Sequence, residues 1–121
     1  EGKILVIDDE EIILRVSEEL LKICGFEVLT ASDGESALEI FADNMLDVKA
    51  VLLDVFMEGV NRIDVFLKMK ELKSDVKVLL TSGFRYDDKI REGIALGAAG
   101  FIQKPFTLQR LSEAIFRILD N

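Results

Sequence analysis

Val51-Leu52-Leu53-Asp54 is the stretch that sets the fold: three apolar residues run directly into a carboxylate. A short apolar run of this kind suits a strand covered on both faces, as the strands of parallel sheets are. Asp54 then stands at the strand's C-terminal end, the edge where open α/β sheets place their ligands. Three other runs stop in the same way. Ile4-Leu5-Val6-Ile7 ends at Asp8-Asp9, Val76-Lys77-Val78-Leu79-Leu80 at Thr81-Ser82, and Gly100-Phe101-Ile102-Gln103 at Lys104-Pro105. These endings are expected to meet at one site.

Working outward, Lys3 to Ile7 reads as a first strand. Ile13, Val16, Leu20 and Ile23 recur at helical spacing and predict a helix from Glu10 to about Cys24, with Gly25 as its stop. Phe26 to Thr30 reads as a short second strand. Ser32-Asp33-Gly34-Glu35 matches a capping box, with Ser32 as N-cap and Glu35 reaching back, and opens a helix to about Asn44. Ala37, Leu38 and Phe41 are expected on its inner face. Ala50 to Leu53 is the third strand, Val55 to Asn61 a loop, and Arg62 to about Leu72 a helix. Val76 to Leu80 is the fourth strand and Thr81 to Tyr86 a loop. Asp87 to Leu96 is a helix closed by Gly97, and Ala99 to Gln103 the fifth strand. Thr107 caps a last helix to about Leu119, with Leu108, Leu111, Ile115 and Ile118 at helical spacing. Five β-α pairs with short connections imply a parallel sheet with helices on both faces, joined by right-handed crossovers. The expectation is one domain over residues 1–121.

Composition removes several classes of function. A net charge of −8 makes polyanions poor partners, so nucleic-acid binding by this domain is not expected. No apolar run approaches the ~20 residues of a membrane span, and no membrane contact is expected. The chain opens Glu1-Gly2 without Met, as a piece of a longer protein would. Cys24 is the sole cysteine, so no internal disulfide can form and a reducing, cytoplasmic setting is expected. The absence of histidine removes Ser-His-Asp catalysis and leaves Cys24 without a base, so Cys24 reads as a helix residue packed on the core. A metal would be held by oxygen, which points to Mg²⁺, Ca²⁺ or Mn²⁺. No glycine-rich phosphate loop matches the nucleotide-binding patterns.

In a parallel sheet Asp8, Asp9, Asp54, Thr81 and Lys104 converge above one edge. Clustered carboxylates raise one another's pKa, and a hard divalent cation relieves the repulsion. Asp54 could then act as a nucleophile toward an activated phosphoryl group. The Lys104 ammonium and the metal would neutralise the transferred group while Thr81 donates a hydrogen bond. Singly, each residue has a plainer reading: Asp8 and Asp9 at a helix N-terminus, Asp54 in a turn, Thr81 at a strand end, Lys104 in solvent. The order and spacing of all five at successive strand ends favours the shared site.

As a set, Ile4-Leu5-Val6-Ile7-Asp8-Asp9-Glu10, Val51-Leu52-Leu53-Asp54 with Met57, Leu80-Thr81-Ser82-Gly83 and Lys104-Pro105-Phe106 resemble the receiver domain of two-component response regulators. The resemblance covers nearly the whole chain. It implies a flavodoxin-like (βα)5 doubly wound sheet, with strand order 2-1-3-4-5 expected, and Asp54 as phosphoacceptor. It implies Mg²⁺ bound by Asp9 and Asp54, by Asp8 through water and by the backbone carbonyl of Phe56, with Lys104 and Thr81 on the phosphoryl group. Phe101 matches the family's aromatic switch position, alongside Thr81, and Lys104-Pro105 is where a cis bond is expected. A histidine kinase or phosphotransfer protein would be the donor. An output domain or protein would be reached through the face of the fourth helix, fifth strand and fifth helix, with room for a phosphorylation-dependent dimer. Thr81-Ser82-Gly83-Phe84 is similar to receivers attached to hybrid sensor kinases.

The chain departs from the family pattern at Glu58, where Pro is usual, and near Arg62, where Gly is usual. These departures support a rival reading, a receiver fold that is never phosphorylated and serves as an interaction module. A second rival, a metal-dependent phosphatase with an aspartyl nucleophile, would want an acid two residues after Asp54, where Phe56 stands.

Overall fold

The computed structural model describes residues 2–55, 62–83 and 88–120. The elements alternate as β1 Lys3–Ile7, α1 Glu11–Ile23, β2 Glu27–Ala31, α2 Gly34–Asn44, β3 Val48–Asp54, α3 Arg62–Leu72, β4 Val78–Ser82, α4 Asp88–Ala95, β5 Gly100–Gln103 and α5 Leu108–Leu119. All strand pairs are parallel, and the sheet order is β2-β1-β3-β4-β5. The expected alternation and strand order are both present. The Val55 to Asn61 and Thr81 to Tyr86 loops, and Asp87 as the start of the fourth helix, fall wholly or partly outside the described residues.

The period-two alternation of the strands divides the core. Leu5, Ile7, Val51, Leu53, Val78 and Leu80 point to one face, where they pack on Phe41 of α2, Phe66 and Met69 of α3 and Ile90 of α4. Ile4, Val6, Leu52 and Leu79 point to the other, against Leu21 of α1 and Leu111, Ile115 and Ile118 of α5. The central strands β1, β3 and β4 are apolar on both sides because both sides are covered. This explains why Val51-Leu52-Leu53 reads as an unbroken run rather than an alternating one.

Several local expectations fail. β4 runs Val78–Ser82 rather than Val76 to Leu80, so Thr81 and Ser82 belong to the strand and not to the loop after it. The α2 N-cap is Asp33, not Ser32: the Asp33 carboxylate accepts from the Ser36 N–H at 2.7 Å and from the Ser36 hydroxyl at 3.2 Å. A carboxylate one residue closer to the helix reaches the free N–H groups of its first turn and suits its positive end. On α1 the predicted stripe is rotated. Val16 and Ile23 are exposed, and the buried side is Ser17 and Leu21, flanked by Leu14, Leu20 and Cys24. Cys24 thus packs on the core as expected. On α5, Leu111, Ile115 and Ile118 are buried as predicted but Leu108 is exposed. Thr107 caps α5, its hydroxyl accepting from the Arg110 N–H at 3.1 Å.

Gly25 and Gly97 follow α1 and α4 at φ of +98° and +111°, a region costly for other residues. At the rim where the helices end, three lysines hold carbonyls. Lys70 donates to Leu96 at 2.7 Å, Lys73 to Met45 at 3.3 Å and Lys77 to Leu119 at 3.2 Å. These carbonyls lie at or just past the C-termini of α4, α2 and α5, where a cation is favoured.

The Ser17 hydroxyl is fully buried without a hydrogen-bond partner. Ser17→Ala is expected to raise stability by about 1–2 kcal/mol in urea unfolding, because it removes an unsatisfied group and improves helix propensity. The Ser36 hydrogen bonds hold the Asp33 carboxyl below its ordinary 3.8. Its contribution to stability is therefore complete above that pH and is lost as pH falls through the lower, folded-state value. Asp33→Ala should lower the Tm at neutral pH and narrow the gap to wild type in acid.

Candidate functional site

Asp8 follows the last residue of β1, Asp54 is the last residue of β3, Thr81 lies in β4, and Lys104 follows β5. Since the strands are parallel, all four emerge at the same rim. Register fixes them further: Asp54 is the pairing partner of Thr81, and the Val55 N–H donates to the Thr81 carbonyl at 3.0 Å. The Lys104 N–H donates to the Ser82 carbonyl at 2.7 Å, which extends β4–β5 pairing by one residue. The Lys104-Pro105 peptide bond is cis, as expected.

The Lys104 ammonium binds Asp8 Oδ2 at 2.8 Å and lies 3.4 Å from Asp54 Oδ2. Both carboxylates are almost fully buried and the lysine is 11% exposed, so this contact is little screened by solvent. The Glu10 carboxylate is 4.0 Å away and 60% exposed. Burial by itself lowers the Lys104 pKa. The hydrogen bond to Asp8 and the charges of Asp54, Asp8 and Glu10 outweigh it, and the net shift is upward from the usual 10.5. Lys104 therefore stays charged wherever its neighbours are ionised.

Asp8, Asp9 and Asp54 each offer a carboxylate oxygen, and these oxygens lie within 4.8 Å of one another. Asp8 and Asp54 are buried and Asp9 is exposed, so the group opens to solvent on the Asp9 side. An all-oxygen set with an open side fits Mg²⁺, which takes one or two carboxylates and keeps waters. The cavity above it, about 440 Å³, is lined by Asp9, Glu10, Ile13, Asp54, Gly83, Lys104 and Pro105. That is room for a phosphoryl group and the tip of its donor.

The structure brings Asp8, Asp9, Asp54 and Lys104 together and sets Thr81 beside Asp54. Phe101 stands apart from the carboxylates. It pairs with Leu80, next to Thr81, and packs half-buried on the α2–α3–α4 side of the sheet. Phe56 and Glu58, and the Arg62 side chain, lie outside the described residues. Glu10, read in the sequence as the start of a helix and as part of the motif around Asp8-Asp9 but given no role, is a member of the site. Its N–H donates to Asp8 Oδ1 at 2.9 Å, and its carboxylate faces Lys104. Its adjacency to Asp8-Asp9 was the available signal.

The family model for the response regulator receiver domain matches residues 4–116. A probable transcriptional regulator ycf27 of Guillardia theta is 37% identical over 118 residues, covering 97% of this chain and 45% of that protein. The transcriptional regulatory protein CpxR of Escherichia coli K12 is 34% identical, covering 98% and 49%. The chain thus spans about half the length of these curated relatives. Among solved structures, a response regulator receiver domain protein from Clostridium thermocellum superposes with a TM-score of 0.92 at 35% identity, covering 99% of this chain and 95% of that one. NtrX from Brucella abortus gives 0.91 at 30% identity, covering 98% and 27%.

Removing one carboxylate should relieve the excess negative charge. Asp9→Asn is expected to stabilise the protein by about 1 kcal/mol in EDTA, the scale for a solvent-facing charge at this separation. Lys104→Met should destabilise it under the same conditions, because Asp8 and Asp54 lose the cation between them. Opposite signs in urea unfolding are the result expected.

Proposed function

This chain belongs to the response regulator receiver domain family, and from that membership we propose that Asp54 accepts a phosphoryl group from a partner's phosphohistidine. The observation that carries the reading is the Asp54 carboxylate, buried beside the Lys104 ammonium at 3.4 Å and grouped with two further acids at an open cavity. These 121 residues contain no histidine, so the phosphohistidine lies outside this domain, on a histidine kinase or a phosphotransfer protein.

An Asp54 carboxylate oxygen attacks phosphorus, the new P–O bond forms and the P–N bond to the donor imidazole breaks. The imidazole leaves with the bonding pair and takes up a proton. Asp9 and Asp54, with Asp8 through water, would hold Mg²⁺, which would supply positive charge to offset that on the phosphoryl oxygens. Lys104, already charged and in contact with Asp54, moves its ammonium onto a phosphoryl oxygen as Asp54 becomes an acyl phosphate. Thr81, in register with Asp54, donates its hydroxyl to the same group. The pull on Thr81 is felt one position along β5's register, at Phe101. The face of α4, β5 and α5 is then the output surface, read by a partner, by a second receiver or by an output domain. Such a change signals only if the two states differ in partner affinity.

The relatives are named as transcriptional regulators, and regulation of transcription is the output class we assign to the whole protein. The cytoplasm is where its donor would meet it. Among the described residues no helix is long and apolar enough to cross a membrane.

With acetyl phosphate and Mg²⁺, intact-mass analysis should find one phosphoryl adduct on wild type and none on Asp54→Ala. Lys104→Met should still be phosphorylated, more slowly and without the accompanying shift of Phe101 in NMR. No adduct on wild type, or an undiminished one on Asp54→Ala, would end this reading. Mg²⁺ should also raise the wild-type Tm with concentration.

A further inference from the structure

α5 carries Arg110 and Arg117, seven residues apart and so on nearly the same side of the helix. Both are exposed, and with Glu113 and Ala114 they line a groove of about 310 Å³ whose other wall is Phe101, Ile102 and Gln103 of β5. β5 is at an edge of the sheet, and among the described residues no further strand covers that side. Neither arginine makes an ion pair with a described residue. Glu113, which lies between them along the helix, is hydrogen-bonded to Gln109 at 3.3 Å. Most other described cations are engaged by carboxylates or by helix-end carbonyls. Lys49 and Lys68 are exposed as well, on β3 and α3, but stand outside the groove.

On a chain of net charge −8, two guanidinium groups against the single Glu113 carboxylate, itself hydrogen-bonded to Gln109, give the groove a local excess of positive charge. A guanidinium offers a planar fork of donors that matches a carboxylate, and it sheds water more readily than an ammonium. We propose that the β5–α5 groove docks an acidic segment of a partner protein, with one carboxylate on Arg110 and another on Arg117. Seven helical residues separate the two anchors by about 10 Å along the axis. Three residues of extended chain span about the same distance. The fitting segment therefore carries acids three positions apart, with the residues between them over Phe101 and Ile102. Nucleic acid is the poorer polyanion here, since the rest of the surface repels an extended one.

This inference rests on the reading of the α4–β5–α5 face as the output surface, and it specifies the chemistry that face selects. Phe101 lines the groove and is also the proposed switch residue, so docking and phosphorylation share a side chain.

The test is an NMR titration of the full chain with hexaglutamate, using sedimentation to follow oligomeric state. Shifts should concentrate at Gln103, Arg110, Ala114 and Arg117 and weaken with salt. Arg110→Glu/Arg117→Glu should lose about tenfold in affinity, the size expected for two exposed ion pairs turned repulsive. Arg110→Lys/Arg117→Lys should fall between wild type and the charge-reversed protein, because the ammonium keeps the charge but loses the fork. Lys49→Glu/Lys68→Glu makes the same change in net charge and should stay within about twofold. Shifts spread over the surface, equal losses in the two charge-reversed proteins, or self-association through the groove in place of peptide binding would overturn the proposal. The Asp54 adduct is measured on the same proteins. A normal adduct with no groove binding defeats the docking inference alone, and groove binding with no adduct defeats the phosphoacceptor reading alone.

Discussion

The ammonium of Lys104, 2.8 Å from Asp8 and 3.4 Å from Asp54, is the contact that makes the site tenable. Two carboxylates buried at adjoining strand ends repel each other, and a cation between them offsets that repulsion. Without a divalent ion, the lysine is that cation. It arrives from the far side of the sheet in sequence, 96 residues after Asp8, so the contact exists only when β5 is docked. The chemistry and the completion of the fold therefore depend on one another. The same arrangement stores free energy, since the acids outnumber the lysine and a bound metal or phosphoryl group redistributes their charge.

How much of this was legible depended on the length scale of the signal. The strand ends were readable because an apolar run stopping at a charged or hydroxyl residue is a local pattern, and parallel pairing turns four such patterns into one rim. The strand order followed from the family resemblance rather than from any residue pattern. The α2 cap was misplaced by one residue because Ser32 and Asp33 are both good caps, and only the backbone path decides which reaches the first turn. The α1 stripe is ambiguous because Ile12, Ile13, Leu14, Val16 and Leu20 spread over about 200° of the helix, wider than one buried stripe. The sheet selects a side that includes Ser17, a polar residue no hydrophobic count would choose. Adjacency to Asp8-Asp9 points to Glu10, but its distance to Lys104 is set only by the docking of β5.

Alternation along the strands also gives the two faces different work. Thr81 and Phe101 are one register step apart, yet Phe101 packs on the α2–α3–α4 side while Ile102, the partner of Thr81, packs on the α1–α5 side. Strands β4 and β5 thus touch both cores. A displacement at their C-terminal ends is passed to either side by side chains that are already close-packed and cannot absorb it locally.

The lysines at the opposite rim have a consequence of their own. Lys70, Lys73 and Lys77 spend their charge on helix-end carbonyls, at the end of the molecule farthest along the strands from the carboxylates. Upkeep of the scaffold and the reactive machinery are therefore housed at separate poles. Substitutions that toughen or loosen one pole leave the other's electrostatics largely alone, because a Debye length is shorter than the sheet. A lineage built on this plan can wander in heat tolerance while its reactive pole stays fixed.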